Sequence, residues 1–499
     1  MTNVLYDAIF ARNARNDAVF FDLDDGSTVT YTSFVARAAQ IAHVLTEAGL
    51  TPGDRVVVQA PKLVDTVALY AGTVQAGGVY VPLNTGYTQA ELTYFVGDAA
   101  PKVIVCDAKD VETLAGLAEA NNGTLFSLGE LGTLSATADK KPCTFETRAR
   151  SKDDLAALLY TSGTTGRSKG AMMSHENLLS NAQSLINLWQ INDQDRLLHA
   201  LPIFHTHGLF VALNTSLLAS ARVRLMSAFD RDKLLEELPQ STLMMGVPTF
   251  YTRLLDEPRF TKDITSNMRL FISGSAPLLA ETHEAFEGRT GHRILERYGM
   301  TETNMITSNP YDGARIAGTV GYALPGVEVK VTDPATGEEL PKGEIGMIEV
   351  RGANVFQGYW KMPEKTAEEI RDNGFFLTGD LATSDEDGRI TIVGRAKDLI
   401  ISGGYNIYPK EIEDVLNDCP GIVESAVFGV AHADFGETVV AAIVGDETCE
   451  IDTLKARVDE ALARFKHPRH YVQLDALPRN TMGKVQKNIL RQDHVDIAS

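Results

Sequence analysis

Residues 31–108 alternate between two textures, and that alternation restricts the fold more than any other property of the chain. YTSFVARAAQIAHVLTEAG (31–49) carries apolar residues at helical spacing and stops at Gly49. DRVVVQA (54–60) follows as a short, continuously apolar run, LVDTVALYAGTVQAG (63–77) is helix-like again, and VYVPLN (79–84) and PKVIVCDA (101–108) repeat the strand pattern. Apolar strands separated by helical segments form mostly parallel sheet with helices over it. The stretch 115–153 is polar and irregular, and we expect it on the surface.

The rhythm resumes after residue 155. LLHALPIF, RVRLMSAF, STLMMGVP and MRLFISGS are strand candidates separated by helical segments. From 316 the strands VEVKVTD, GEIGMIEVRG, GFFLTGD and GRITIVGR follow one another across turns, which predicts a β-rich subdomain or barrel. The tail, from about 395, predicts a small α+β unit: the helix PKEIEDVLNDC, strands SAVFGVAH and TVVAAIVG, the helix IDTLKARVDEALARF, then YVQLDAL. No low-complexity linker separates the parts, so their junction must be a hinge.

A chain of 499 residues exceeds one ordinary core and implies two to four domains or subdomains. Its formal charge of −20 excludes a general nucleic-acid binder, which needs basic surface. The four cysteines, Cys106, Cys143, Cys419 and Cys449, show neither metal-ligand spacing nor a disulfide framework, which favours a reducing compartment. MTNVLYDAIFARNARND has no long apolar run of the secretory kind, and no stretch has the character of a membrane span. We therefore expect a cytoplasmic protein with no stable membrane association.

Directly after the apolar run LAALLY comes TSGTTGRSKG (161–170). Gly163, Gly166 and Gly170 permit tight turns whose backbone N–H groups can nest an anion. Thr161, Ser162, Thr164 and Thr165 add donors, and Lys169 adds a charge. The preceding strand puts the loop at a sheet's carboxyl end, where α/β proteins bind ligands. Gly166 is followed by Arg167, so this is not a Walker A loop.

YTSGTTGRSKG closely resembles the nucleotide-phosphate loop of the adenylate-forming acyl-CoA synthetase superfamily, with Ser168 where the usual version has proline. The resemblance extends through YGMTE (298–302), TGD (378–380), GRAKDLIISGGYNIYPKEIE (394–413) and PRNTMGKVQK (478–487), in the family's order. Within the superfamily the chain is most similar to malonyl-CoA synthetases, in HALPIFHTHGLF, RLFISGSAPLL and LERYGMTETNM. The resemblance implies an α/β fold: a large N-terminal domain of stacked αβα subdomains (1–396), with a small β-barrel-like subdomain at about 316–396, then a smaller, mobile α+β C-terminal domain (397–499) hinged at Lys397.

It also implies roles for single residues. Ser162, Gly163, Thr164, Thr165, Gly166 and Lys169 would bind the phosphates of ATP, with Thr161 both binding and catalytic. Glu302 would coordinate Mg²⁺, a cation that prefers oxygen ligands. Tyr298 would pack on adenine, Thr301 would contact the phosphate side, Asp380 would accept from the ribose hydroxyls, and Arg395 would contact ribose or phosphate. Lys484 would enter the cleft and stabilise charge as the carboxylate attacks phosphorus. Gly403 and Gly404 would line the pantetheine channel of coenzyme A, and Lys487 would be ordinary surface.

The acid is read from the pocket. Arg297 precedes YGMTE where many relatives carry a small residue, and it can pair with a second carboxylate through two parallel hydrogen bonds. His205, Thr206, Ser273 and Met305 would line the rest, with the Ser275 hydroxyl nearby and Arg253 a weaker candidate. Malonate is the acid implied, with methylmalonate secondary, going through malonyl-AMP to malonyl-CoA, AMP and diphosphate. Another short or aromatic acid remains open, as does a ligase that loads a carrier protein's phosphopantetheine. A protein lysine acetyltransferase acting on Lys484 would remove its charge, and adenylation should then slow sharply while thioester formation suffers less.

Overall fold

The computed structural model describes residues 2–129, 132–161, 168–402, 405–432, 435–446, 448–480 and 483–498. Two large sheets share one continuous buried core, which runs from Leu5 to Phe376. The first sheet has six strands in the order Thr124–Leu128, Val103–Asp107, Arg55–Gln59, Val79–Pro82, Leu155–Thr161 and Lys169–Ser174. Its pairings are parallel except the last, an antiparallel hairpin that joins Thr161 to Lys169. Val56, Val57 and Val58 are all buried, as a strand covered on both faces requires. Each such side chain contributes about 1.5–3 kcal/mol on leaving water.

The second sheet has nine strands, and its middle is parallel: Leu270–Ser273, Leu243–Gly246, Arg196–His199 and Arg222–Leu225 are neighbours. These are the four strands expected between 197 and 275. Helices Tyr31–Glu47 and Val64–Gln75 pack on one another, the first capped by the Thr30 hydroxyl accepting from the Ser33 N–H.

A third sheet, wholly antiparallel, orders Val327–Thr332, Gly346–Gly352, Phe376–Ser384 and Ile390–Arg395. After a single turn, Ala396–Asp398, the chain enters a separate sheet built on Ile400–Ser402, Ile422–His432 and Gly436–Gly445. Helices Pro409–Asn417 and Ile451–Ala461 accompany that sheet, and two hydrophobic clusters of its own lie around it. The fold is thus a large α/β N-terminal domain followed by a smaller α+β one.

The stretch 115–153 differs from the surface expected for it. Thr124–Leu128 pairs in parallel with Val103–Asp107 as the edge strand of the first sheet, and Thr133–Ala138 is helical. Only Ser127 and Leu128 of that strand are buried. An edge strand needs little apolar sequence, so TLFSL carried a weak signal.

Candidate active site

The hairpin Leu155–Thr161/Lys169–Ser174 and the hairpin Leu295–Met300/Asn304–Ser308 bring distant motifs together. The Thr161 hydroxyl lies 3.5 Å from Glu302 Oε1, and Glu302 is buried. Burial raises the Glu302 pKa, with Tyr359 and Lys169 pulling the other way. The Tyr359 hydroxyl stands 3.0 Å from Glu302 Oε1 and 2.6 Å from Glu369 Oε2. This hydroxyl bridges the two carboxylates with one proton to donate. Lys169 pairs with Glu369 Oε1 at 2.9 Å, its ammonium 4.0 Å from the centre of the Tyr359 ring.

A Mg²⁺ ion fits this corner. Glu302 is a buried hard ligand with a hydroxyl beside it, and Mg²⁺ usually takes one or two carboxylates plus substrate phosphates rather than an all-protein cage. No group of three or more His, Cys, Asp or Glu forms a metal site among the described residues.

On the adjoining wall the Tyr298 hydroxyl donates to Asp380 Oδ2, and Arg395 Nε pairs with Asp380 Oδ1 at 2.6 Å. Asp380 and Arg395 are direct cross-strand partners, so the antiparallel register holds this pair. Thr301 sits half-buried in the turn between Tyr298 and Glu302.

The acyl side is built around Arg297. Its side chain is 3% exposed, and its Nε and Nη2 have no hydrogen-bond partner among the described residues. Burial pulls its pKa down to about 9. The guanidinium lies directly over Gly274, where a Cβ would come within 2.3 Å of its Cζ. Thr206 Oγ1, Ser273 Oγ and His207 Nε2 are likewise buried without a partner among the described residues. His207 Nδ1 meets the Ser275 hydroxyl at 3.2 Å, and Ser275 takes a left-handed φ of 72°. His205 is pulled down to about 3 by burial first, then by Lys484 and Arg297, and His207 well below its ordinary value for similar reasons. Both imidazoles are therefore neutral. Met305 is buried, its Cε against Gly299. Buried polar atoms are nearly always paired in a finished structure, so this group of orphans marks a place for an anionic ligand.

Lys484 arrives from the C-terminal domain. Asn480 fixes its loop: the Lys484 N–H donates to Asn480 Oδ1 at 3.0 Å, and its carbonyl accepts from the Asn480 N–H at 2.9 Å. The side chain is exposed to the open cleft, yet crowded by the cleft walls. That crowding, then Arg395, lowers its pKa, while Asp380 and Glu302 pull upward. The same lysine thus senses both the nucleotide wall and Arg297.

Lys397 stands in the turn between the third sheet and the C-terminal sheet. Arg253 lies outside the pocket, exposed on helix Pro248–Leu255 with its guanidinium over Phe229. Lys487, expected to be ordinary surface, is instead half-buried in an ion pair with Glu413 at 2.6 Å. Ser162, Gly163, Thr164, Thr165, Gly166, Gly403 and Gly404 lie outside the described residues.

The family described as AMP-binding enzyme matches residues 8–360, and the AMP-binding enzyme C-terminal domain matches 411–484. The chain belongs to the AMP-binding enzyme family. Within that family it is 35% identical to a malonate–CoA ligase of Arabidopsis thaliana over 483 residues, 89% of this chain and 78% of the relative. It is 36% identical to a feruloyl-CoA synthase of an Amycolatopsis species, over 94% of each chain. Against the crystal structure of ATP-bound MatB from Rhodopseudomonas palustris it is 53% identical over 100% of both chains, with a TM-score of 0.98. Against apo MatB, at the same identity and coverage, the TM-score is 0.87. The whole-chain arrangement is thus nearer the ATP-bound relative, in keeping with Lys484 lying in the cleft.

Three residues of this AMP-binding enzyme's site escaped the sequence reading. Tyr359 and Glu369 sit in QGYWKMPEKTAEE, outside every motif quoted above. Their place comes from backbone zipping: the Met172 N–H donates to the Gly358 carbonyl and the Trp360 N–H to the Gly170 carbonyl. Gly274, under Arg297, lies between Ser273 and Ser275 in ISGSAPL and has no side chain to read.

Proposed function

We propose that this member of the AMP-binding enzyme family is an ATP-dependent malonate–CoA ligase, with methylmalonate as a secondary substrate. The observation that carries the reading is Arg297: a buried guanidinium with two unpaired nitrogens, ringed by unpaired neutral donors. A cation is costly to bury alone, and a second carboxylate supplies the missing charge. Flat aromatic or long aliphatic acids would leave it unpaired. The 35–53% identity to a malonate–CoA ligase and to MatB supports the same choice.

In the first half-reaction a carboxylate oxygen of malonate attacks the α-phosphorus of ATP and diphosphate leaves. The nucleophile is already ionised, so no general base is required. Lys484 faces the charge that develops, while Asp380, Tyr298 and Arg395 hold the nucleoside side. Glu302, with Thr161 beside it, would hold a Mg²⁺ ion that supplies charge neutralisation at phosphate oxygens. In the second half-reaction the thiol sulfur of coenzyme A attacks the acyl carbon, its proton is lost, and AMP departs with the C–O bond electrons. The C-terminal domain turns about Lys397 between the two steps. Acetylation of Lys484 would remove its charge and slow the first step.

No helix among the described residues is long and apolar enough to cross a membrane. A cytoplasmic setting fits the four cysteines, all of which carry free thiols.

The test is acid-dependent AMP release with free CoA across malonate, methylmalonate, succinate, acetate, octanoate and 4-coumarate, for wild type and Arg297→Ala. Malonate should be preferred, and its kcat/KM should fall by ~10²–10³ in the variant, the scale of breaking a buried ion pair. Good turnover of a monocarboxylate, unchanged in the variant, would overturn the assignment.

A further inference from the structure

Lys62 lies just past the carboxyl end of strand Arg55–Gln59 and reaches from the first sheet to the second. Its Nζ meets His199 Nδ1 at 2.6 Å, the His199 carbonyl at 2.9 Å and the Leu201 carbonyl at 2.8 Å. Every partner of the Nζ is neutral, and burial drives the Lys62 pKa well below its ordinary value, with Asp24 pulling it upward. Among the described residues no carboxylate pairs with it. A buried amine that spends its hydrogen bonds on one imidazole and two carbonyls of a single segment calls for a reason beyond packing.

His199 supplies one. It is 1% exposed, and its Nε2 stands 2.8 Å from the Gly208 carbonyl. A carbonyl only accepts, so Nε2 carries the proton and Nδ1 is the bare acceptor that faces Lys62. Burial, with Lys62 second, lowers the His199 pKa to about 3, so the ring is neutral. The imidazole therefore ties residue 199 to residue 208, and Lys62 holds the ring's other nitrogen.

Between those two ends the chain doubles back tightly. A Cβ at Gly208 would fall 2.0 Å from the Pro202 carbonyl oxygen, so only glycine fits there. The segment carries His205, Thr206 and His207, and it leads into the π-helical stretch His207–Leu213. His205 and His207 both lie within electrostatic reach of Arg297.

We propose that Lys62, acting through His199, is a positioning residue that holds the 199–208 segment so that His205, Thr206 and His207 face Arg297, making selectivity for a dicarboxylate depend on a lysine that does not itself touch the acid. The inference rests on the malonate reading above. Without Lys62, His199 Nδ1 and the carbonyls of His199 and Leu201 lose their donor, and the start of the segment is no longer anchored to the first sheet.

The experiment is steady-state AMP release by the full-length enzyme carrying Lys62→Met, alone and combined with Arg297→Ala. The malonate KM should rise by ~10-fold, the scale of one buried hydrogen bond, with the KM values for ATP and CoA within ~2-fold of wild type. In the Arg297→Ala background Lys62→Met should add less than ~2-fold, because coupled sites are not additive. A fall in kcat alone, a matching rise in all three KM values, or the full loss persisting without Arg297 would make Lys62 a general support and sink the inference. If Lys62→Met does not melt cooperatively, Lys62→Gln, which keeps N–H donors on a shorter side chain, is measured against the same outcomes. No effect of Arg297→Ala on malonate would defeat the substrate assignment instead. An Arg297 effect with no Lys62 effect defeats this inference alone.

Discussion

Gly274→Ala tests the pocket without removing any charge. The new methyl would lie 2.3 Å from Arg297 Cζ, 2.4 Å from Nη1 and 2.7 Å from Nε. Carbon and nitrogen pack comfortably at about 3.5–4.0 Å, so the guanidinium must retreat by more than about 1 Å. The position has no left-handed φ, so alanine brings no backbone strain of its own. Gly→Ala at a compatible site also narrows the unfolded ensemble, which offsets part of the local crowding. Displacing a substrate-positioning group by about 1 Å costs on the order of 10²-fold. We expect malonate kcat/KM to fall by about that factor, with the ATP KM unchanged and cooperative melting retained. The assay is AMP release with malonate, read beside Arg297→Ala. If Gly274→Ala keeps malonate turnover within ~3-fold of wild type while Arg297→Ala loses it, the guanidinium does not need the place that the structure gives it, and the clamp geometry is refuted.

Two more outcomes follow from the same site. Lys484→Ala should slow adenylation by ~10²–10³ while sparing thioester formation from supplied malonyl-AMP, and an equal loss in both half-reactions, measured separately, would count against its placement. His205, pulled down to about 3, should stay neutral from pH 5.5 to 8, about the range over which an unperturbed histidine titrates. Its protonation is favoured only as pH falls toward 3, so the malonate KM should show no histidine titration across that window. A midpoint near an ordinary histidine value that vanishes in His205→Asn would contradict the neutral assignment.

Much of the fold was legible because parallel strands must be apolar on both faces. Val56–Val58 and Leu270–Ile272 announce themselves without any partner in view. Thr124–Leu128 did not, since an edge strand shares its burden with only one neighbour. The same divide runs through the site. Glu302, Asp380 and Lys484 were read from short motifs, and Arg297 from its place one residue before such a motif. Lys62 was invisible because its partners stand 137 and 139 residues away, and a lone lysine before a helix reads as surface. Glu369 was hidden for a like reason: its contact with Lys169 spans 200 residues. Local pattern reports what a side chain is made of. It does not report which orphaned atom elsewhere it answers.

The second sheet delivers the groups around its pocket where parallel pairing stops: His199 closes one strand, Ser273 another, and Arg297 comes one residue after the Ser273–Glu296 pair on the neighbouring strand. Behind each of them the buried apolar residues Leu198, Ile272 and Leu295 belong to the shared core. Recognition and foldability are therefore written at separate addresses along the same strands. A change of preferred acid can be explored by substitution at the tips while the interior that folds the protein is left as it was.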